Sequence, residues 1–358
     1  INFYTAKNKI IRKLQWACIL LFDLLWGYKD VRMYREAQKL IRKNKFELVL
    51  CSSFRSFPLP AAQRIAHTYK LPLVVDLRDI IEQFTGDEFM SHRLPDIFGL
   101  NKLYISIFKK KSLHERNRAL KMADFVTTVS PWHVETLKQY NPNVGLIYNG
   151  FDPELFYPEQ KKTDKFIITY TGRLMSTAMR DPGLLLEALK ILSDKNIIND
   201  QICRVYWYVD PASQKLITAE ADKAGVSSFM DFKGYVQATE IPSVLNNSSV
   251  LLLLANRSKE KGPKGIMTTK FFESLAVEKP ILCVRSDESY LESALEESKA
   301  GIAARHVEEA CRFLEDCFTE WKEKGYTTSQ TDKKVLRNYS RKEQAGQFSE
   351  IFETVIIR

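Results

Sequence analysis

Residues 166–173 have the sequence Phe-Ile-Ile-Thr-Tyr-Thr-Gly-Arg, and a helical pattern of apolar residues follows over residues 181–192. The β-branched and aromatic side chains of residues 166–170 predict a buried strand. Gly172 permits a tight turn where that strand ends. Predicted strands and helices alternate from this point onwards, which is typical of a parallel sheet covered by helices. The stretch therefore opens an α/β domain.

A first series of strands and helices precedes this stretch. Its predicted strands cover residues 47–51, 73–76, 125–129 and 144–148, and its predicted helices cover residues 31–44, 60–69 and 102–122. Ser130 can cap a further helix, which Pro131 opens. Residues 152–165 are rich in proline and charge and are predicted to link two domains.

The second series continues to the end of the chain. Its further strands are predicted at residues 203–209, 229–232, 250–254 and 281–284, and its further helices at residues 215–224, 241–245, 269–277 and 340–356. We therefore predict an α/β protein with two Rossmann-like parallel-sheet domains facing a cleft, with ligands at the carboxyl ends of the strands.

The composition is that of a globular protein, with 45% hydrophobic and 27% charged residues among 358, which excludes a disordered or collagenous chain. The formal net charge of +9 is concentrated in the first third of the chain. Residues 1–50 hold 11 Lys and Arg against 4 Asp and Glu, and residues 102–122 hold 7 against 1. This region predicts an anionic partner, either a membrane surface, a nucleic acid or a phosphorylated substrate. A solvated basic face is the alternative.

The cysteines and histidines indicate neither a disulfide framework nor a metal site. The six cysteines form no Cys-x-x-Cys pair and the five histidines are scattered, so we expect free thiols in a reducing cytoplasm and no metal. The apolar stretch over residues 16–26 is interrupted by Asp23 and is too short to span a bilayer. We expect a buried or interfacial helix there.

Two arginines follow the turn at Gly172. Arg173 and Arg180 lie where the next helix is predicted to begin, and helix starts attract anions. Two guanidinium groups suit the oxygens of a diphosphate. The pair is a candidate phosphate site, and two surface arginines in a loop are the alternative.

A second candidate segment follows the apolar strand at residues 250–254. Its candidate residues are Gly265, Thr268, Thr269, Lys270 and Glu273. Glycines and threonines before a helix expose backbone N–H groups that fit phosphate. Lys270 lies in the first helical turn, where a cation makes sense beside an anionic ligand. Glu273 either accepts hydrogen bonds from ribose hydroxyls or pairs with Lys270 on the helix surface.

Several motifs, taken together, resemble one family. They are Asp-Leu-Arg-Asp at 76–79, Ala-Asp-Phe-Val-Thr-Thr-Val-Ser at 123–130, Ile-Tyr-Asn-Gly-Phe-Asp-Pro-Glu-Leu-Phe at 147–156, Tyr-Thr-Gly-Arg at 170–173, Gly-Tyr-Val at 234–236 and Thr-Lys-Phe-Phe-Glu-Ser-Leu-Ala-Val-Glu-Lys-Pro-Ile-Leu at 269–282. By their order and spacing, nearly the whole chain resembles the family 4 (group 1) glycosyltransferases of the GT-B fold.

The resemblance implies three segments. They are an acceptor-side domain over residues 1–157, a donor-binding domain over residues 158–338 and a C-terminal helix over residues 339–358 that returns to the first domain. The family's first domain usually begins with a strand and a glycine-rich loop. No such loop precedes residue 45, so we expect the first strands of the N-terminal domain to be missing and that domain to be incomplete.

The resemblance also implies an activity. The expected reaction is hexosyl transfer from a nucleotide-sugar donor to a glycan or lipid-linked acceptor, with retained anomeric configuration and without a metal or other cofactor. The absence of a D-x-D motif agrees with metal-free chemistry. The expected setting is cell-surface polysaccharide synthesis by a cytoplasmic enzyme that contacts the inner face of the membrane and no nucleic acid.

The resemblance carries residue roles as well. Arg173 and Arg180, the second in place of a usual lysine, match the basic pair on the donor diphosphate. Glu273 matches the second glutamate of an E-x7-E motif that holds the ribose. Gly265 stands where the first glutamate would be, so backbone N–H groups are the expected contacts there. The residues that match the base-binding loops are Val209, Asp210, Tyr235 and Val236.

Charge stabilisation is the expected core of the mechanism, because the leaving diphosphate gains negative charge. Its expected sources are three cations, Arg173, Arg180 and Lys270. Asp76 and Asp79 either orient the acceptor hydroxyl or serve the local structure by pairing with Arg78 or capping a loop.

Two other functions stay open at this point. One is another GT-B nucleotide-sugar enzyme, an epimerase or a phosphorylase, although an epimerase's acid–base carboxylates and histidine are not found. The other is a non-enzymatic binder that uses the basic first third on a membrane surface, since RNA-binding aromatic signatures are lacking. Binding of a nucleoside diphosphate separates these classes.

Overall fold

The computed structural model of the chain describes residues 6–84, 101–174, 176–177, 180–255, 267–284 and 290–357. The chain divides into two compact units, Ile1–Ile147 with Gln347–Arg358 and Tyr148–Gly346. Each unit is built on one parallel sheet. The predicted α/β class with two parallel-sheet domains is confirmed.

The first unit holds a four-stranded sheet in the order β1-β2-β3-β4. Its strands are β1 Val49–Ser52, β2 Leu73–Leu77, β3 Phe125–Thr128 and β4 Val144–Leu146, and its helices are α1 Lys9–Trp26, α2 Tyr28–Ile41, α3 Leu59–Tyr69, α4 Asn101–Met122 and α5 Pro131–Leu137, with a 3-10 helix at Ile81–Gln83. Strand β2 is buried along its whole length. Leu59 and Ala62 of α3 belong to the same apolar core as this strand.

The second unit holds a six-stranded sheet in the order β10-β9-β8-β5-β6-β7. Its strands are β5 Phe166–Thr171, β6 Cys203–Tyr208, β7 Met230–Phe232, β8 Val250–Leu254, β9 Ile281–Val284 and β10 Gly301–Ala304. Its helices are α6 Gly183–Asp194, α7 Pro211–Ala224, α8 Ile241–Asn246, α9 Thr269–Ala276, α10 Tyr290–Ser298, α11 Val307–Lys324 and α12 Lys333–Asn338, with 3-10 helices at Ser227–Phe229 and Ala238–Glu240. Strand β5 lies between β8 and β6, so its carboxyl end is central on the edge where parallel sheets bind ligands.

The last helix, α13 Arg341–Ile357, begins in the second unit, and its residues from Gln347 onwards belong to the first. Residues 152–165 belong to the second unit. Phe156 is buried in that unit's core. The side chain of Asn246 holds the same segment by bonding the carbonyl of Tyr157 at 3.0 Å and the amide of Glu159 at 2.8 Å.

Most of the local predictions are confirmed. The predicted strands are present, and Ser130 caps α5 by accepting a hydrogen bond from the His133 amide. All six cysteines are free thiols. No prediction from the sequence covers α10, β10 or α12. Gly27, which takes a left-handed conformation with φ of +60°, ends α1 between the two helices that the sequence predicts at residues 16–26 and 31–44. Among the described helices, none has the length and apolar character that a membrane span requires.

Candidate active site

The carboxyl edge of the second unit's sheet gathers most of the predicted site residues. Gly172 follows β5 with φ of +123°, a conformation that favours glycine. Its amide donates to the carbonyl of Tyr208 at the end of β6, at 2.9 Å. The turn therefore lies against the sheet edge, with its backbone open to a close approach from outside.

Lys270 makes that close approach. It lies in the first turn of α9, and a Cβ placed on Gly172 would lie 1.8 Å from the Lys270 Nζ. The Nζ also lies 4.9 Å from the centre of the Tyr170 ring, in a cation–π contact. Burial, and next the charge of Arg180, lower the pKa of Lys270 to about 8, against the opposing effect of Glu273. The structure thus holds a partly desolvated ammonium at the turn.

Arg180 lies at the same turn. Its guanidinium donates to the carbonyl of Arg173, and the Tyr170 hydroxyl donates to the same oxygen at 3.1 Å. Two side chains thereby fix the backbone directly after Gly172. The role of Tyr170 was missed from the sequence, because an aromatic residue in a buried strand is most often core.

Arg173 projects away from this backbone and is two-thirds exposed. Its Nε donates to the Tyr235 hydroxyl at 2.6 Å and lies 3.5 Å from a carboxylate oxygen of Asp210. Asp210 also caps α7, accepting from the amides of Ala212 and Ser213 at 2.9 Å each. The hydrogen bond from Ser213, more than the charge of Arg173, lowers the pKa of Asp210. The structure therefore joins three predicted residues from the ends of β5, β6 and β7.

Glu273 follows Lys270 by one turn of α9. Burial raises the pKa of its carboxyl group, against the opposing charges of Arg341 and Lys270. Phe271 and Phe272, between the two, are fully buried. The helix therefore sends its apolar side into the core and holds a half-buried carboxylate near the site.

The other predicted donor-binding residues differ in how exposed they are. Val209 is 2% exposed, so only its backbone is accessible to a ligand. Val236 is half-buried beside the exposed Tyr235. Thr268 occupies the N-cap position of α9, and Thr269 is exposed. Gly265 lies outside the described residues.

The carboxyl edge of the first unit's sheet carries two acids, Asp76 and Asp79, with Arg78 between them in sequence. The carboxylate of Asp76 lies in a buried hydrogen-bond network. Its oxygens accept from the hydroxyls of Ser52 and Thr127 at 2.8 Å and from Arg78 Nε at 2.9 Å. Asp79 accepts from Gln83 Nε2 at 2.7 Å, and burial raises its pKa. Asp76 is thus committed to the local structure.

Gln83 connects Asp79 to a buried histidine. Its Oε1 accepts from the Ile80 amide at 3.2 Å and lies 3.0 Å from His133 Nε2. The other ring nitrogen of His133 lies 3.0 Å from the Thr128 hydroxyl. Burial lowers the pKa of His133 to about 4, so the ring is neutral near pH 7. No motif in the sequence indicated a role for His133, because its partners lie on β3 and in the loop after β2.

The same loop is held from α4. The guanidinium of Arg116, which is 1% exposed, donates to both carboxylate oxygens of Glu82, at 2.5 and 2.6 Å. Bidentate pairing of this kind fixes geometry as well as charge. Within the described part of the chain, no group of three His, Cys, Asp or Glu side chains is arranged to hold a metal ion.

Comparison with known proteins adds a family match. Residues 17–155 match the model of Glycosyltransferase Family 4, which spans most of the first unit. No curated protein matches the chain.

Solved structures share the two-domain fold at low sequence identity. The HepE protein of Anabaena in complex with UDP matches with a TM-score of 0.60 at 15% identity, over 91% of this chain and 82% of that one. A glycosyltransferase from Rickettsia africae matches with a TM-score of 0.58 at 14% identity, over 99% and 84%. A sucrose-phosphate synthase from Thermosynechococcus elongatus gives 0.54 at 13% identity, over 90% and 77%. These likenesses show that the fold is GT-B.

Proposed function

We propose, on the premise that residues 17–155 belong to glycosyltransferase family 4, that this chain transfers a hexosyl group from a nucleotide-diphosphate donor to a glycan or lipid-linked acceptor. The family match and the fold of the structural neighbours support a glycosyltransferase. Retention of configuration, chemistry without a metal or other cofactor, and a role in cell-surface polysaccharide synthesis are parts of the proposal.

The observation that carries the proposal is the convergence of two cations on the turn at Gly172. Lys270 packs against Gly172, and the charge of Arg180 contributes to the lowered pKa of Lys270. Holding like charges together in a partly buried place costs free energy. A diphosphate would offset this cost through charge-assisted hydrogen bonds. Arg173, which is exposed at the same turn, would add a third contact.

These cations would act on the leaving group. When the bond between sugar C1 and the diphosphate oxygen breaks, its electron pair goes to the diphosphate and the sugar becomes oxocarbenium-like. Cations that are in place beforehand lower this barrier, because they need no reorganisation as the charge develops. The acceptor oxygen then bonds to C1, and its proton passes to the diphosphate or to water.

The nucleoside would lie beside these phosphates. In this proposal Glu273 accepts hydrogen bonds from the ribose, and the backbone of Val209 with Tyr235 and Val236 borders the base. HepE was solved in complex with UDP and with UDP-glucose, which supports testing uridine nucleotides first.

The acceptor would belong to the first unit, where Asp79 is held by Gln83 with a pKa raised by burial. A carboxylate fixed in this way can orient an acceptor hydroxyl. No stronger base is needed if the diphosphate takes the proton.

Calorimetric titration of the whole chain with UDP tests the donor site. We expect saturable binding that Lys270→Ala and Arg180→Ala each weaken by about tenfold or more, as for the loss of a charge-assisted bond. Lys190→Ala is the matched control, because Lys190 is an exposed cation of α6 paired with Asp194. Unchanged affinity in the folded site variants would contradict the donor site.

The chemistry needs separate tests. A screen of nucleotide sugars for UDP or GDP release would identify the donor, and release that survives EDTA is expected. Loss of turnover in EDTA with rescue by Mg²⁺ or Mn²⁺ would overturn the metal-free part alone. Nucleotide binding with epimerisation or phosphorolysis instead of transfer would favour the other GT-B enzymes.

Membrane association of a cytoplasmic enzyme is the last part of the proposal. On α1, the apolar side chains of Ile10, Leu14 and Trp26 are 71%, 62% and 65% exposed, beside the basic Arg12 and Lys13. Basic and apolar side chains together favour an anionic bilayer surface.

The apolar stretch over residues 16–26, which was expected to form a buried or interfacial helix, is described only in part. Trp16 is half-buried, and the side chains of Leu20, Leu21, Leu24 and Leu25 lie outside the described residues. Co-sedimentation with anionic vesicles but not neutral ones, weakened by salt, is expected. Equal partitioning to anionic and neutral vesicles, or binding to neither, would contradict membrane association and favour a soluble acceptor.

A further inference from the structure

A cavity of about 520 Å³ opens in the first unit between helices α3 and α4. Small-molecule sites typically have volumes of this order, about 300–1,000 Å³. From α3 the cavity is lined by Arg64 and His67, and from α4 by His114 and Arg118. Residues three or four apart lie on one face of a helix, so each helix contributes one basic stripe to the same cavity.

The charges of this wall are unbalanced. Glu115 is the acid that the described residues contribute to the lining, and its carboxylate lies 3.7 Å from the Nζ of Lys111, outside the cavity wall. Within the described residues, the side chains of Arg118, His67 and His114 make no hydrogen bond or ion pair. The two arginines therefore face the cavity without a carboxylate of their own.

Arg64 is held in place by a neutral group. Its guanidinium carbon lies 4.3 Å from the centre of the Tyr34 ring. Tyr34 is buried on α2, and its hydroxyl is fixed by Thr68 at 3.2 Å and Gln38 at 3.1 Å. Stacking on an anchored ring orients a guanidinium and leaves its N–H groups for another partner.

The floor of the cavity contains a further polar group. Gln63 is 7% exposed, and its Nε2 has the thioether of Met122 as its partner, at 2.6 Å. A thioether is a weak acceptor, so this amide has hydrogen-bonding capacity that a stronger acceptor would use. An anion in the cavity would meet the amide as well as the two arginines.

We propose that this cavity binds a ligand that carries a phosphate monoester. Two guanidinium forks match phosphate oxygens bidentately, and a phosphate monoester carries a charge of about −1.5 to −2 near pH 7, which balances the two arginines. The apolar part of the lining, Pro60 and Met122, leaves room for the organic group of the ester. The site lies on helices of the first unit, whereas the donor cations belong to the second unit.

The experiment is a calorimetric titration of the full chain with glycerol 3-phosphate, compared with inorganic phosphate. Arg64→Gln and Arg118→Gln are each expected to weaken the affinity by about tenfold, as for one charge-assisted contact. Arg35→Gln is the matched control, because Arg35 is exposed on α2 and does not line the cavity. Arg173→Gln serves as a second control and reports any phosphate bound at the donor cations.

Vesicle binding distinguishes a lipid headgroup from a soluble ester as the source of the phosphate. For a lipid headgroup, phosphatidic acid vesicles bind the wild type more strongly than phosphatidylserine vesicles of equal charge, and Arg64→Gln with Arg118→Gln removes the difference. For a soluble ester, the two vesicles bind equally while glycerol 3-phosphate still saturates the site. Either result supports the cavity as a phosphate site.

Three results would overturn the proposal. They are the absence of saturable binding to both the soluble esters and the phosphatidic acid vesicles, an affinity that Arg35→Gln lowers as much as Arg118→Gln does, and an affinity that only Arg173→Gln lowers. Circular dichroism and a thermal melt establish that each variant is folded. Since Arg64 and Arg118 are both exposed, their replacement is expected to leave the fold intact.

Discussion

The charged side chains at the carboxyl edges of the two sheets differ in their surroundings. In the second unit, Lys270 and Arg180 lie close together and against the neutral turn at Gly172. In the first unit, the acids after β2 already have their donors, since Asp79 is held by Gln83 and Glu82 by Arg116. The second edge therefore gains most from an incoming anion, whereas the acids of the first edge are held by donors of their own unit. Substitutions at the first should change stability, and those at the second should change ligand affinity.

The largest expected effect is on the first edge, at Arg116. Arg116→Ala removes one partner of a nearly buried ion pair and is expected to lower the free energy of unfolding by about 3 kcal/mol. Chemical denaturation measures this loss. Arg118→Ala, on the same helix but exposed, should change stability by less than about 0.5 kcal/mol. Equal losses in the two variants would mean that the pair with Glu82 does not stabilise the loop after β2.

The next effect concerns His133 and pH. Its pKa in the folded chain, about 4, lies below the ordinary value of 6.5, so the unfolded chain takes up a proton first as the pH falls. This contribution to stability is complete above about pH 6.5 and is lost as the pH falls towards 4. The expected loss is about 2–3 kcal/mol.

Denaturation at several pH values measures this slope, with His67 as the matched control because it is exposed. His133→Gln should reduce the slope between pH 6.5 and 4, and His67→Gln should leave it unchanged. A slope that His133→Gln does not alter would assign the acid sensitivity to other groups.

Replacement of Lys270 should raise stability and lower ligand affinity. At pH 7, burial of its ammonium costs stability, so Lys270→Met is expected to raise the free energy of unfolding by about 1–2 kcal/mol and to weaken UDP binding by about tenfold or more. In the wild type, affinity should fall as the pH rises through about 8, where Lys270 loses its proton. The variant should lack this fall. A variant that loses stability and keeps its affinity would make Lys270 a structural residue.

The sequence predicted more of the second edge than of the first. The glycine after β5, the two arginines and the lysine of α9 stand in local motifs, so their spacing along the chain already indicates a phosphate site. The network of Asp79, Gln83 and His133 was not predictable. It joins the segment after β2 to helix α5 through side chains that have no fixed spacing along the sequence. The cavity between α3 and α4 was missed for the same reason, since each helix carries only half of its basic lining.

The smallest expected effect tests how Arg173 is oriented. Tyr235→Phe keeps the ring and removes the hydroxyl that accepts from Arg173 Nε at 2.6 Å. Arg173 would retain Asp210 at 3.5 Å, so it stays near the turn but samples more directions. UDP affinity should then fall about threefold, as for a neutral hydrogen bond at an exposed place, with stability unchanged. Tyr206→Phe is the matched control, because Tyr206 lies on β6 and contacts Lys233 instead. Calorimetry of both variants decides the point: an equal change in both would mean that the Tyr235 hydroxyl does not orient Arg173, and a gain in affinity would mean that it holds Arg173 away from the phosphates.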